Sequence, residues 1–141
     1  MDINMIGPAI VLGLGCVGSS IGTGIGGMAL HGVMSRTESG HGKFIALTTM
    51  TSSQAIYAFI LMVIMKNRIE AGDIPAMSAI GIAFFAGLGL LFSSVYQGKT
   101  IATAIQAAAK QPTIFAKAAM APLIIESFSI FAFVFSMMLM Y

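Results

Sequence analysis

One carboxylate stands deep inside an apolar run of this 141-residue chain: Glu126, in PLIIESFSIF. A carboxylate at mid-membrane depth costs about 2.5–3.5 kcal/mol on insertion scales, so its default reading is an ion or proton site. It lies 15 residues before Tyr141, about 22 Å along a helix at a rise of about 1.5 Å per residue. Few other polar groups share that setting. TMTSSQAIY supplies Ser53, Gln54 and Tyr57, which with Met50 fall at i, i+3, i+4 and i+7 on one helical face. VYQGK supplies Gln97. Polar side chains at this depth turn toward other helices and find partners there. Carboxylate, amide and hydroxyl oxygens together form a hard-oxygen set suited to a hard cation. A proton needs the carboxylate alone. The surplus of neutral oxygens favours Na⁺, with H⁺ as the alternative cargo, and plain interhelical hydrogen bonding is the competing reading of each neutral residue.

Two other stretches imitate known chemistry. GLGCVGSSIGTGIGG carries G-x-G-x-x-G at Gly13, Gly15 and Gly18, with Glu38 twenty positions later. That dinucleotide fingerprint requires a strand before it and a soluble sheet to bury it. Here further glycines follow inside one uninterrupted apolar segment. Gly18, Gly22 and Gly26 recur every four residues, as do Ser19, Thr23 and Gly27, the spacing that lets membrane helices approach closely. QGKT, at Gln97 to Thr100, resembles the end of a P-loop but has Ser93 where that loop needs glycine. No nucleotide or organic cofactor site is expected, and no catalytic constellation. Cys16 reads as a small packing residue, and MDINMIGP as a retained membrane segment without the basic start of a leader.

The elements that must position Glu126 follow from hydropathy. Hydrophobic residues make up 57% of the chain and charged residues 9%; a soluble domain carries roughly 25% charged residues, so the solvent for most of this surface is lipid. The net charge of +2 and the lack of a basic, aromatic-studded run exclude a nucleic-acid partner. Uncharged segments run from Ile3 to Ser35, Phe44 to Met65 and Ile74 to Gly98, and a fourth, Ala118 to Tyr141, contains only Glu126. Each reaches the roughly 20 residues that span a bilayer. The prediction is an all-α membrane protein of four transmembrane helices in one membrane domain, residues 1–141. Its halves are two duplicated helical hairpins, about 1–68 and 74–141.

A shift of 72 aligns those halves, pairing Gly26 with Gly98, Phe59 with Phe131, Met65 with Met137 and Gln54 with Glu126. Turns 36–43 and 110–117 hold Arg36, Lys43, Lys110 and Lys117, while the middle connection balances Lys66 and Arg68 against Glu70 and Asp73. The basic turns are therefore expected in the cytoplasm and both termini outside. Helix 3 repeats the small-residue theme with Ala79, Ala83 and Gly87, then Ser94, Gly98 and Ala102. Helices 1 and 3 are predicted as a slim inner layer, helices 2 and 4 as a bulkier outer one, as in a ring of hairpins. The alternative is a plain four-helix bundle. Pro122 is expected to kink helix 4. His31 and Lys99 are expected near the cytoplasmic ends of helices 1 and 3, with Lys99 snorkelling to the interface.

With PLIIESFSIF, QAIY, VYQGK and the glycine-rich first helix in place, the chain resembles the membrane rotor proteolipids of V-type ATPases, subunit K, which are of the c type. The likeness covers essentially the whole chain and is nearest to the sodium-translocating bacterial members. It implies Na⁺ ligands from Glu126, Gln54, Gln97, the Ser53 hydroxyl and the Met50 carbonyl, with Tyr57 hydrogen-bonding the Glu126 carboxylate. Ser53 stands where the pattern has threonine. It also implies a homo-oligomeric ring in membrane lipid, met by a stator subunit and gripped by central-stalk subunits, in a bacterial inner membrane. The ring translocates ions by rotation coupled to ATP hydrolysis or synthesis, and the chain alone is no catalyst. Gln54 at the duplicate position leaves one carboxylate per four helices. The rivals are a proton-coupled multidrug antiporter, for which the chain has no Trp, and a structural tetraspan.

Overall fold

The computed structural model describes residues 2–141, all of whose regular structure is helical. A 3-10 turn, Ile3–Met5, leads into α1 (Ile6–Met34). The second span is broken into α2 (His41–Thr49), a 3-10 turn at Met50–Ser52, and α3 (Ser53–Glu70). The third is one unbroken helix, α4 (Ala76–Lys110). The fourth comprises a 3-10 turn at Pro112–Ile114, α5 (Phe115–Ala118) and α6 (Met120–Met138). All four spans are long and apolar enough to cross a membrane, and the protein is an integral membrane protein.

Local chemistry explains where the helices stop. Gly72 adopts φ 81° after α3, with its N–H on the Ile69 carbonyl and the Asp73 N–H on the Arg68 carbonyl. This is the paired 6→1 and 5→2 closure that favours glycine at the left-handed position. Gly40, also at φ 81°, precedes α2. Gln111 leaves the helical region, at φ −135° and ψ 87°, because the ring of Pro112 disfavours that region for the residue before it. Pro8 sits in the first turn of α1, where its missing N–H breaks no helical bond. Pro122 has no N–H to give the Ala118 carbonyl, and the fourth span is interrupted at Ala119.

The glycines decide the layering. A methyl placed on Gly22 would strike the Ser94 carbonyl, and one on Gly98 would strike the Gly22 backbone. One on Gly18 would lie 2.9 Å from the Leu91 carbonyl oxygen. α1 and α4 therefore run against each other backbone to backbone and share the most extensive contact in the chain. α3 packs on α1, and α6 on α4, so the first and third spans form the tight layer and the second and fourth the bulkier one. Leu123, Ile124, Phe128, Phe131, Val134 and Phe135 of α6 are exposed, as lipid-facing side chains are.

Three expectations need revision. The third helix ends at Lys110, where the expected turn 110–117 begins, so Lys99 is not near its end but mid-helix, exposed, with its ammonium 4.8 Å from the Tyr96 ring centre. Cys16 is exposed and packs no core within the chain. Gly13, Gly24 and Gly27, part of the predicted packing stretch, meet nothing within 4 Å. His31 does lie in the last turn of α1, exposed.

Two apolar clusters fill the interior. One gathers Val11, Ala58, Leu61, Met65, Ala83 and Leu90; the other gathers Leu30, Phe44, Leu47, Ile101 and Ile105. Between them in sequence along the spans lies a buried polar layer: Ser19, Thr51, Gln54, Ser93, Ser94, Gln97 and Ser129.

Candidate functional site

The polar layer is built around an irregular turn in the second span. No proline or glycine causes it. Thr48, Thr49, Thr51, Ser52 and Ser53 each donate a hydroxyl to the backbone carbonyl three or four residues earlier, at 2.6–3.0 Å. Such back-bonds compete with the helical ladder, and the chain tightens to 3-10 geometry over Met50–Ser52. The groups left over are met by neighbouring helices. Ser19 of α1 accepts the Ala55 N–H at 2.9 Å, and Ser94 of α4 donates to the Thr51 carbonyl at 3.0 Å. Thr23 and Thr51 join through their hydroxyls at 2.8 Å.

Restarted at Ser53, α3 turns three side chains onto Glu126. The Ser53 hydroxyl lies 2.6 Å from Glu126 Oε1, the Tyr57 hydroxyl donates to the same oxygen at 3.1 Å, and Gln54 Nε2 donates to Oε2 at 3.0 Å. From α4, Gln97 Nε2 donates to Oε2 at 2.7 Å and to the Pro122 carbonyl at 3.2 Å. Gln97 Oε1 in turn accepts from Gln54 Nε2 at 2.8 Å. The Tyr57 ring rests on Phe133, with centroids 5.5 Å apart. Met50 joins through its carbonyl, 2.8 Å from the Ser53 hydroxyl. All six residues singled out from sequence thus meet in one place, contributed by the second, third and fourth spans.

Hydrogens are scarce there. The Ser53 hydroxyl has one, yet it lies within bonding distance of both the Met50 carbonyl and Glu126 Oε1. Gln54 Nε2 has two and faces three acceptors, Gln97 Oε1, Glu126 Oε2 and Ser129 Oγ. Gln54 Oε1 is buried with no hydrogen-bond partner among the described residues. A buried amide oxygen with no partner, on a side chain bonded to the carboxylate, is a free hard-oxygen donor of the kind a hard cation takes. Among the described residues no group of three or more His, Cys, Asp or Glu side chains could hold a metal, so the donors here are one carboxylate and neutral oxygens.

The family of the ATP synthase C subunit matches this chain twice, over residues 6–65 and 80–139. The chain belongs to the ATP synthase C-subunit family. The two matches fall one on each helical hairpin, the duplication of this family unit within a single polypeptide. The chain is similar to the A-type ATP synthase subunit K of Methanocaldococcus jannaschii, 30% identical over 124 residues, 86% of this chain and 56% of that protein. It thus spans little more than half of that relative's length. It is also similar to the V-type sodium ATPase subunit K of Enterococcus hirae, 25% identical over 125 residues, 87% of this chain and 80% of that protein.

In this member of the C-subunit family, sequence reasoning missed Ser93 and Ser129. Gln54 Nε2 lies 3.0 Å from Ser129 Oγ, which is 2.6 Å from Ser93 Oγ. A signal existed: Ser129 is three residues beyond Glu126, and Ser93 is four before Gln97, so each shares a helical face with a predicted site residue. Ser19, Thr23 and Ser94, read only as small packing residues, also bond to the irregular turn.

Proposed function

We propose that the chain is the rotor-ring subunit of a V/A-type ATPase membrane sector, carrying Na⁺ on Glu126 and coupling its passage to ATP hydrolysis or synthesis by rotation. The observation that carries the reading is the buried Gln54 Oε1, which has no partner among the described residues although the nitrogen of the same amide bonds Glu126. In this reading Glu126, Gln54 and Gln97, the Ser53 hydroxyl and the Met50 carbonyl hold the ion, and Tyr57 steadies the carboxylate. A transported proton would ask for the carboxylate alone. The similarity to a protein named V-type sodium ATPase subunit K supports the same cargo.

The bound ion cancels the charge that otherwise bars Glu126 from lipid. A basic residue of a stator subunit displaces the ion, and rotation returns the emptied site to its supply. Copies of the chain close into a ring, and the central stalk grips it at turns 36–43 and 110–117. Each copy is one membrane domain, with hairpins of about 1–68 and 74–141. Those turns face the cytoplasm of a bacterial cell, with the termini outside. The charge pattern supports this: Arg68 bonds Asp73 at 2.7 Å and Lys66 meets Glu70 at 3.7 Å, so the middle turn neutralises itself. The positive excess is left to the other two.

The test is carbodiimide labelling of the full chain in membranes. Label is expected on Glu126, and Na⁺ is expected to slow it, more strongly as the proton concentration falls, because ion and proton compete for the carboxylate. Labelling indifferent to Na⁺ at every pH overturns the Na⁺ reading and leaves a proton-driven rotor.

A further inference from the structure

We propose that Ser129 and Ser93 are positioning residues for the cation site: a one-way hydroxyl relay that holds the Gln54 carboxamide with its nitrogen toward α6 and its oxygen free for the ion. The inference rests on the Na⁺ reading of the Glu126 site.

The direction of the relay follows from counting hydrogens. Ser93 Oγ is 2.9 Å from the Ile125 carbonyl, which can only accept, so Ser93 spends its single hydrogen there. At 2.6 Å, Ser129 must then be the donor to Ser93. That leaves the Ser129 oxygen with lone pairs alone to offer Gln54, 3.0 Å away, and only the amide N–H matches it. A flipped carboxamide would set oxygen against oxygen in a buried place. Ser129, Gln54 and Ser93 are all buried, so water cannot relieve the mismatch, and an unmade buried hydrogen bond costs more than a made one contributes.

Ser129 would ordinarily bond back to the Ile125 carbonyl, four residues earlier on its own helix. Ser93 occupies that carbonyl and turns the Ser129 hydrogen outward. The pair therefore has a chemical polarity that neither serine has alone.

This matters because the other anchors of Gln54 belong to the site itself. Its nitrogen also faces Gln97 Oε1 and Glu126 Oε2, and both change their bonding as an ion enters or leaves. Gln97 has a fixed backbone anchor in the Pro122 carbonyl; the Gln54 amide has Ser129. The relay keeps Gln54 Oε1 presented while Glu126 is between ions. Without the relay the carboxamide is free to turn, which takes Oε1 away from the ion and the Nε2 bond away from Glu126 Oε2.

Carbodiimide labelling of the full chain in membranes tests the relay. The readout is the NaCl concentration that halves labelling at fixed pH. Ser129→Ala is expected to raise the half-protecting NaCl concentration roughly two- to tenfold, the worth of one ordinary hydrogen bond. Ser129→Thr, which keeps the hydroxyl, restores the original value. Ser93→Ala shifts it in the same direction by less, because Ser129 can return its hydrogen to Ile125 and still accept from Gln54. That variant carries the test if Ser129→Ala does not assemble on native gels. Unchanged Na⁺ protection in both alanine variants, or a loss that Ser129→Thr does not restore, overturns the relay while the Na⁺ reading stands. Unmodified protein whose labelling ignores Na⁺ overturns both.

Discussion

Gln54 Nε2 donates to Glu126 Oε2 at 3.0 Å, across a sequence separation of 72. That separation is the offset that lays the first hairpin on the second, so the two residues holding duplicate positions meet face to face. An amide there gives the carboxylate a donor; a second carboxylate would repel it. Replacing Gln54 with Glu is therefore expected to trap a shared proton, since carboxylates about 3 Å apart do not both ionise. Na⁺ protection against carbodiimide should weaken by at least about tenfold, measured on membranes at neutral pH.

Gln97→Leu removes the shortest bond to the Oε2 oxygen of the carboxylate, at 2.7 Å. Hydrogen bonds to charged groups contribute about 1.5–3 kcal/mol, or roughly ten- to a hundredfold in binding. Radioactive Na⁺ binding to purified protein should weaken by that factor, and unaltered binding would remove Gln97 from the site.

Ser19 lies on the glycine-rich α1 yet serves the site, since its hydroxyl takes the Ala55 N–H beside the irregular turn. Ser19→Ala strands that part-buried donor at a cost of about 1 kcal/mol. A lower thermal transition in detergent is expected, together with weaker Na⁺ binding. Lost stability with intact binding would show that the turn holds its shape unaided.

The two kinds of glycine on α1 should part company. Gly22→Ala drives a methyl into the Ser94 carbonyl, and overpacking of this sort costs about 1–3 kcal/mol. Gly13→Ala meets open space within the chain and should leave its thermal transition unmoved. Equal losses would mean that α1 and α4 are not apposed as described.

Orientation has its own test. With Cys16 replaced by Ala, a cysteine at Ser39 should react with an impermeant thiol reagent only from the cytoplasmic side, and one at Ala71 only from outside. The reverse pattern would invert the topology.

What sequence made legible, and what it hid, has a common physical cause. Glu126, Gln54, Gln97 and Tyr57 stood out because bulky polar groups are costly in an apolar helix, so their presence asks for a reason. Ser93 and Ser129 did not, because a serine hydroxyl satisfies itself on its own helix and costs little there. Only the fold shows Ser93 taking the carbonyl that Ser129 would have used. The place of Lys99 is hidden for a different reason. Its charge closes the uncharged segment at Gly98, but the chain continues as TIATAIQAAAK, rich in alanine, a strong helix former. The helix therefore runs on to the expected turn at Lys110, and Lys99 falls inside it. The irregular turn was written in the run of hydroxyls from Thr48 to Ser53, which reads as mere polarity until each is seen on a backbone carbonyl.

Four side chains of one polypeptide reach Glu126 among the described residues: Ser53, Gln54 and Tyr57 from one helix and Gln97 from another. A single copy thus brings both the carboxylate and four donors to it. In an assembly of mixed parentage, with some copies carrying Glu126→Gln, the capacity for ions should fall in strict proportion to the altered copies, each sound one filling with its own affinity. Neighbours would govern when a seat is reached, and not how well it holds its passenger.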